Sequence, residues 1–290
     1  MERILFEVIP PSMSWTLERI ENWARRASDI MRKNSISFLN LPEVVNETRG
    51  ERIVPFSQKI DNLLFSDIVK KYFDDIKPIL NKICVRMDRS EFDNWVNRVF
   101  KKGIRHIIFV GGESSSIEYP GYSVLQAAGR VKKKYFDINI GGITILTRRS
   151  EPENMYEKMK AGISFFVSQI IFETSNIKQV LINLRRITDE KGMQMPKIYI
   201  SLTPASRIKD IEFMKWLGVE FPSAILSYLT EYESKVEERS FEILDRTIDE
   251  TIEFMVKEKI KLGFNVEHVM YNNLELSEQL IEEIKERIVF

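Results

Sequence analysis

Short apolar runs rich in β-branched residues alternate along this chain with stretches of helical spacing, and that alternation limits its possible folds more than any other feature. Eight runs read as strands: 4–9, 35–41, 83–87, 106–110, 138–146, 165–172, 198–202 and 266–271. Between the first two, Ile20, Trp23, Ala24, Ala27, Ile30 and Met31 recur at the spacing of one helix face. Ser90 with Asp93, and Ser150 with Glu153, have capping-box spacing before two further helices. Continuous apolar strands separated by helices are the pattern of a parallel sheet covered on both faces. Eight such units match a (β/α)8 barrel, which usually needs about 250 residues. The 290 residues suffice for one such barrel, read as a single domain over 1–290. An open doubly wound sheet is the alternative.

Two intervals exceed what the regular unit requires. The polar segment "NETRGERIVP" (46–55) follows the second strand and is expected to be a mobile loop, a candidate lid. Before the last strand, Phe241, Leu244, Ile248, Ile252 and Met255 mark an additional helix, expected to pack outside the barrel or to form an oligomer contact.

Forty-three basic and 43 acidic residues cancel, so no net field favours nucleic acid or an anionic membrane. The expected partner is a small molecule or another protein chain, a second copy included. Cys84, alone of its kind, excludes an intrachain disulfide. There is no basic stretch leading into an apolar core at the N-terminus, and no run of roughly 18–20 apolar residues. A cytoplasmic location is therefore expected. His106 and His268 lie in different strands and lack zinc-ligand spacing, so no metal site is expected. No nucleophile elbow and no GxGxxG motif is present.

In a barrel of this kind the loops that follow the strands converge at the C-terminal ends, so polar residues there are candidates for chemistry. "LFEVIPPS" places Glu7 inside an apolar run that Pro10 and Pro11 bring to an end. Flanked by Phe6, Val8 and Ile9, a partly desolvated carboxyl would titrate above its usual value of about 4.3 and could donate a proton near neutrality. The alternative is a salt bridge to a lysine or arginine of a neighbouring strand. In "IIFVGGESSS", Gly111 and Gly112 would let backbone approach a ligand, and the serines could bond phosphate or hydroxyl groups. Taken alone, these residues read more readily as a flexible strand-to-helix turn. In "FFVSQIIFE", Ser168 and Gln169 interrupt an apolar strand. The glutamine could offer both a donor and an acceptor to a heterocycle, or be a core amide.

Taken in order, "LFEVIPP", "GIRHIIFVGGE", "KMKAGISFFVSQIIFE", "TPAS" and "VEHVMYNNLELS" resemble segments of the methylenetetrahydrofolate reductase family. The resemblance implies a (β/α)8 barrel that reduces the methylene group of a folate-type pterin to methyl, commonly through FAD reduced by NADH or NADPH. It implies that Glu7 is the catalytic acid, that Glu113 stands where an aspartate lies near the flavin, and that Gln169, with Ser168 beside it, contacts the pterin. The positions facing the cofactor would be Gly111, Gly112, Thr144, Asn272 and Asn273. The chain departs from the pattern: Gly111 and Asn273 stand where flavin-binding members usually carry arginine, and Glu113 is one methylene longer than aspartate. Losing two cations weakens the expected hold on a diphosphate. "GGIT" (141–144), followed by Arg148 and Arg149, is more similar to a divergent branch, some members of which work without bound flavin. Direct hydride transfer from a nicotinamide, a non-catalytic pterin-binding subunit and a pterin-dependent methyltransferase are the alternatives.

Overall fold

Apolar residues at successive positions let each strand bury both faces, and the computed structural model, which describes residues 2–47, 50–112 and 117–288, realises this in eight parallel strands. They are β1 (Ile4–Val8), β2 (Phe38–Leu41), β3 (Lys77–Ile83), β4 (His106–Val110), β5 (Asn139–Thr144), β6 (Phe165–Ile170), β7 (Lys197–Leu202) and β8 (Leu262–His268). Each pairs with the next, and β8 pairs with β1, so the sheet closes into a barrel. The open sheet is excluded. Around it run α1 (Leu17–Lys33), α2 (Asn62–Lys70), α3 (Arg89–Lys101), α4 (Val124–Lys134), α5 (Glu151–Lys160), α6 (Ser175–Glu190), α7 (Ile208–Trp216), α8 (Ser223–Thr230), α9 (Val236–Glu258) and α10 (Leu274–Arg287).

Alternation along the strands separates two cores. Leu5, Phe38, Ile79, Ile108, Phe165, Val167 and Tyr199 cluster inside the barrel. Their neighbours Phe6, Leu39, Leu80, Ile107, Phe166 and Ile198 belong to the larger core shared with the helices. Two glycines make the interior fit: a Cβ on Gly141 would lie 2.4 Å from the Phe165 ring, and one on Gly263 would lie 2.8 Å from the Tyr199 ring. These rings meet edge to face at 6.4 Å. The apolar plug fills the lower barrel; toward the strand ends the next inward positions are polar on β1, β2, β7 and β8, as Glu7, Asn40, Ser201 and Asn265, and apolar on β4 to β6, as Val110, Ile143 and Val167.

Several expected boundaries move. The third strand is Lys77–Ile83, not 83–87, where the chain turns. The eighth begins at Leu262, four residues before Val266. Asp88, not Ser90, caps α3, accepting from the Ser90 N–H at 2.8 Å. Ser150 occupies the cap position of α5 without a side-chain capping bond, and a full capping box forms instead between Ser123 and Gln126 at α4. Between β7 and β8 lie three helices rather than one. Phe241, Leu244 and Ile248 of α9 are buried in the main core, so α9 is the barrel's own cover. The supernumerary pieces are α7 and α8, which bury Ile211, Met214, Ile225 and Leu229 in a separate cluster with Ile170 and Phe172. Among the described residues, no helix is long and apolar enough to cross a membrane, and no group of three or more His, Cys, Asp or Glu is placed to hold a metal ion.

Candidate active site

Glu7 is the inward residue after Leu5 on β1, at the start of the barrel mouth. Strand register sets it beside Asn40 of β2 on one side and Glu267 of β8 on the other. The Asn40 Nδ2 donates to Glu7 Oε2 at 2.6 Å, and Asn265 Nδ2 donates to the same oxygen at 3.0 Å. Asn265 Nδ2 also lies 3.0 Å from Ser201 Oγ and 3.3 Å from Glu267 Oε1. That nitrogen has two hydrogens and three acceptors, so the acceptors compete. Asn40, Ser201 and Asn265 are fully buried, whereas Glu7 and Glu267 are only partly so. The amides form a polar shelf, and the carboxyl groups stand on it. Among the described residues Glu7 has no salt bridge, and the basic partner considered from the sequence is not there.

Burial pushes the Glu7 carboxyl up to about 7, against the opposing pull of the Asn265 hydrogen bond. Glu267 is raised well above the ordinary carboxyl range, first by burial and then by the charge of Glu7, while bonds from Ser201 and Asn265 hold it back. Two like charges side by side resist joint ionisation, so the pair keeps at least one proton at neutrality and titrates as a unit. It is a proton donor poised for neutral pH.

The loop above is fixed. Pro10 and Pro11 lack N–H groups, and neighbouring carbonyls are gripped from outside the sheet: Trp23 Nε1 donates to Ile9 O at 3.3 Å and Tyr271 Oη to Pro10 O at 2.8 Å. Trp15, Trp23, His268 and Tyr271 form one aromatic cluster against this turn, with Trp15 and Tyr271 4.8 Å apart. His268 is fully buried there, and burial lowers its pKa to about 4. His106, at the opposite end of the barrel beside Phe38, is also lowered to about 4 by burial. Neither histidine joins the carboxyl pair.

Among the described residues, the others singled out from the sequence make no hydrogen bond to Glu7 or Glu267 and are held as follows. Ser168 sits at a register shift in β6, where its buried hydroxyl accepts from the Ser201 N–H at 2.9 Å and donates to the Gln169 carbonyl at 2.8 Å. It repairs the ladder. Gln169 Nε2 donates to the Leu217 carbonyl just beyond α7, at 3.1 Å. Thr144 faces α5, bonding the buried Glu151 at 2.8 Å. Asn273, 2% exposed, binds Pro204 O at 3.1 Å and Asp210 Oδ2 at 3.2 Å, and accepts from Ser206 at 3.0 Å. Asn272 accepts from Arg207 at 2.9 Å. Together the two asparagines lace the loop after β8 to the loop after β7. A Cβ on Gly112 would fall 2.3 Å from the Tyr119 ring, so a tyrosine of this chain already makes the close approach, whereas a Cβ on Gly111 would meet Val124 at an ordinary 3.6 Å. Glu113 lies outside the described residues.

Sequence reasoning missed Glu267, Asn265, Asn40 and Ser201. A signal existed: "FNVEH" places Asn265 and Glu267 two apart in an apolar strand, hence on one face.

Fold and mouth together define a (β/α)8 barrel with a paired-carboxyl, amide-lined C-terminal opening, the usual location of barrel active sites. An uncharacterized protein from Clostridium thermocellum that binds two copies of 5-methyl-5,6,7,8-tetrahydrofolic acid has a similar fold, with a TM-score of 0.81 and 22% identity over 98% of this chain and 96% of that one. A mandelate racemase/muconate lactonizing enzyme from Roseiflexus sp. aligns at a TM-score of 0.40 and 10% identity, covering 68% of this chain and 47% of that one. No protein-family model and no curated protein matches the chain.

Proposed function

We propose that this barrel binds a reduced, folate-type pterin in its mouth and reduces a methylene group bridging two of the ligand's nitrogens to a methyl group. The observation that carries the reading is the Glu7 and Glu267 pair, which holds a proton at neutral pH beside a polar shelf. Support comes from the Clostridium thermocellum neighbour, whose bound ligand is the methylated form of such a pterin.

The chemistry assigned to the pair is general acid catalysis. Glu7 gives its proton to the leaving nitrogen, the carbon–nitrogen bond to the bridge breaks, and the remaining nitrogen and carbon form an iminium. A hydride from a reduced nicotinamide dinucleotide then adds to that carbon, giving the methyl group and the oxidised nicotinamide. Glu267, the register neighbour of Glu7, is assigned the return of a proton to it. Asn40 and Asn265 hold Glu7 in place through both states, since their bonds to Oε2 fix its rotamer.

A resident flavin fits the described residues poorly. Of the five positions the resemblance assigns to it, Thr144, Asn272 and Asn273 bond other side chains and Gly112 packs against Tyr119. FAD would supply a relay for the hydride; the present reading gives that step directly to the nicotinamide. The test is consumption of NADH or NADPH by colourless purified protein supplied with the methylene pterin. Turnover without added FAD supports the reading; turnover only after FAD is added restores the flavin. Tight pterin binding with no consumption of either nucleotide makes the protein a binding module and defeats the reductase.

A further inference from the structure

The inward face of β3 continues the polar side of the mouth. Ile79 faces the interior, and Asn81 follows it two residues on. Strand register fixes the height of Asn81. Read from Glu7, near the end of β1, the successive partners are Asn40, Ile79, His106 and Asn139, and the last two are the first residues of β4 and β5. The register line thus descends by about one residue per strand, the usual stagger of an eight-stranded barrel. Two strands on from Glu7, the residue level with it is therefore Asn81 rather than Ile79. From α2, Asn62 Nδ2 donates to Leu41 O at 3.1 Å and to Asn81 O at 2.9 Å, which locks the ends of β2 and β3 together.

Two acceptors on these strands lack donors. Asn40 is fully buried and Asn81 is 6% exposed, and among the described residues the side-chain oxygen of each is buried without a hydrogen-bond partner. The Asn40 amide cannot turn round: its nitrogen lies 2.6 Å from Glu7 Oε2 and 3.3 Å from Asn265 Oδ1, and exchanging its ends would set oxygen against oxygen. Its own oxygen, about 2.2 Å from that nitrogen, therefore lies within about 5 Å of Glu7 Oε2 and looks away from the β1–β8 seam. On that other side the next strand is β3, which carries Asn81. A buried acceptor without a donor costs the fold free energy, and a ligand N–H relieves it. Across the mouth, Val110 and Ile143 are apolar and half-buried. One wall accepts hydrogen bonds, and the other offers surface for the face of a ring.

We propose that the carboxamide oxygens of Asn40 and Asn81 form an acceptor pair beside the acid, which takes the N–H-bearing edge of a flat nitrogen heterocycle, and that Asn81 sets the specificity for that edge. This deepens the pterin reading and rests on it for the heterocycle, while the acceptor pair rests on the two unpartnered oxygens. Two sources share the chemistry: the amino and ring N–H groups of the pterin's pyrimidine, and the carboxamide NH2 of a nicotinamide. The pterin is the better match, because it brings two neighbouring donor groups to two acceptors and the carboxamide brings one.

The experiment measures binding by isothermal titration calorimetry in wild type, Asn81→Leu and the acceptor-keeping Asn81→Asp. The probes are 6-methyltetrahydropterin, its 2-desamino counterpart, NADH, and the 3-acetylpyridine analogue of NADH, which lacks the carboxamide NH2. Asn81→Leu is expected to weaken 6-methyltetrahydropterin by about tenfold or more and to leave the desamino compound within about twofold, whereas Asn81→Asp retains most of the affinity. Loss confined to NADH, with the acetylpyridine analogue unaffected, identifies the nicotinamide instead; either pattern supports the acceptor pair. Unchanged affinity for both N–H-bearing probes, or equal loss for each probe and its counterpart, overturns it. Thermal melting gives a second readout: an acceptor without a partner does not hold the fold, so Asn81→Leu melts no lower than wild type, and a marked fall in Tm makes Asn81 a core amide and overturns the proposal. Failure of wild type to bind either pterin sinks the pterin reading alone, and the NADH comparison then decides the acceptor pair.

Discussion

Glu7 and Glu267 stand side by side across the β1–β8 seam, and one nitrogen, Nδ2 of Asn265, lies within 3.3 Å of both carboxyl groups. Because that donor has fewer hydrogens than acceptors, protonating either acid relieves the competition. The pair is thus built to keep a proton and to give it up at little cost in rearrangement.

Removing the acid tests the assignment directly. Glu7→Gln keeps the size and the acceptor oxygen that Asn40 and Asn265 bond, but has no proton to deliver. A general acid contributes typically 10²–10⁴-fold, so kcat for methylene reduction is expected to fall by at least about a hundredfold. Pterin binding and the far-UV circular dichroism spectrum should be unchanged. Retained turnover in this variant would remove Glu7 from the mechanism.

Asn265→Leu separates the hydrogen bond from the acid. The Asn265 bond lowers the pKa of both carboxyl groups, because it favours the ionised form, and its loss raises both. Activity that depends on the protonated acid declines as pH rises through the Glu7 value of about 7. In the variant the declining limb should therefore move to higher pH. A pH–rate profile reads the shift, and a limb that stays put or moves down contradicts the electrostatic account.

Much of this architecture was legible in the sequence because barrel strands are apolar on both faces and helices are periodic on one, and those two patterns differ in kind. Where the patterns weaken, boundaries slipped. Lys77 and Pro78 open β3, and proline is tolerated at a strand's beginning but masks it. "ICVRM" then attracts the assignment by its β-branched residues, although Cys84 to Arg86 form a turn. The same kind of error hid half of the site. Starting the last strand at Val266 cut away Asn265 and broke the alternation that pairs it with Glu267. Glu7 was visible because an acid inside an apolar run is rare. Thr144 and Asn273 show the converse: polar side chains near strand ends, yet turned to α5 and to Asp210, a direction that composition cannot reveal.

Asn273→Ala distinguishes a loop tie from a cofactor contact. The substitution leaves Asp210 and Ser206, both bonded by the lost amide, short of a buried partner. The expected cost is about 1–3 kcal/mol of folding stability, measured by urea denaturation. Affinity for FAD should not change. A large loss of FAD affinity with stability intact would return Asn273 to the cofactor.

The final expectation concerns stability and pH. Glu7 titrates near 7 in the folded chain against an ordinary value of 4.5, so between those values the folded state binds more protons than the unfolded one. Stability from this group is therefore full at low pH and is lost as pH rises through 7. Burying the ionised carboxyl costs about 1–2 kcal/mol at pH 8 once solvent screening of a partly exposed group is allowed for. Glu7→Gln removes that cost, because glutamine does not ionise. The variant should melt a few degrees above wild type at pH 8, and the difference should shrink toward zero by about pH 3.5, well below the unfolded value, where wild-type Glu7 is protonated in both states. Differential scanning calorimetry at the two pH values checks this. A variant that is less stable than wild type at pH 8 would mean that the folded chain favours the ionised form of Glu7, and the proton donor would have to be sought elsewhere in the mouth.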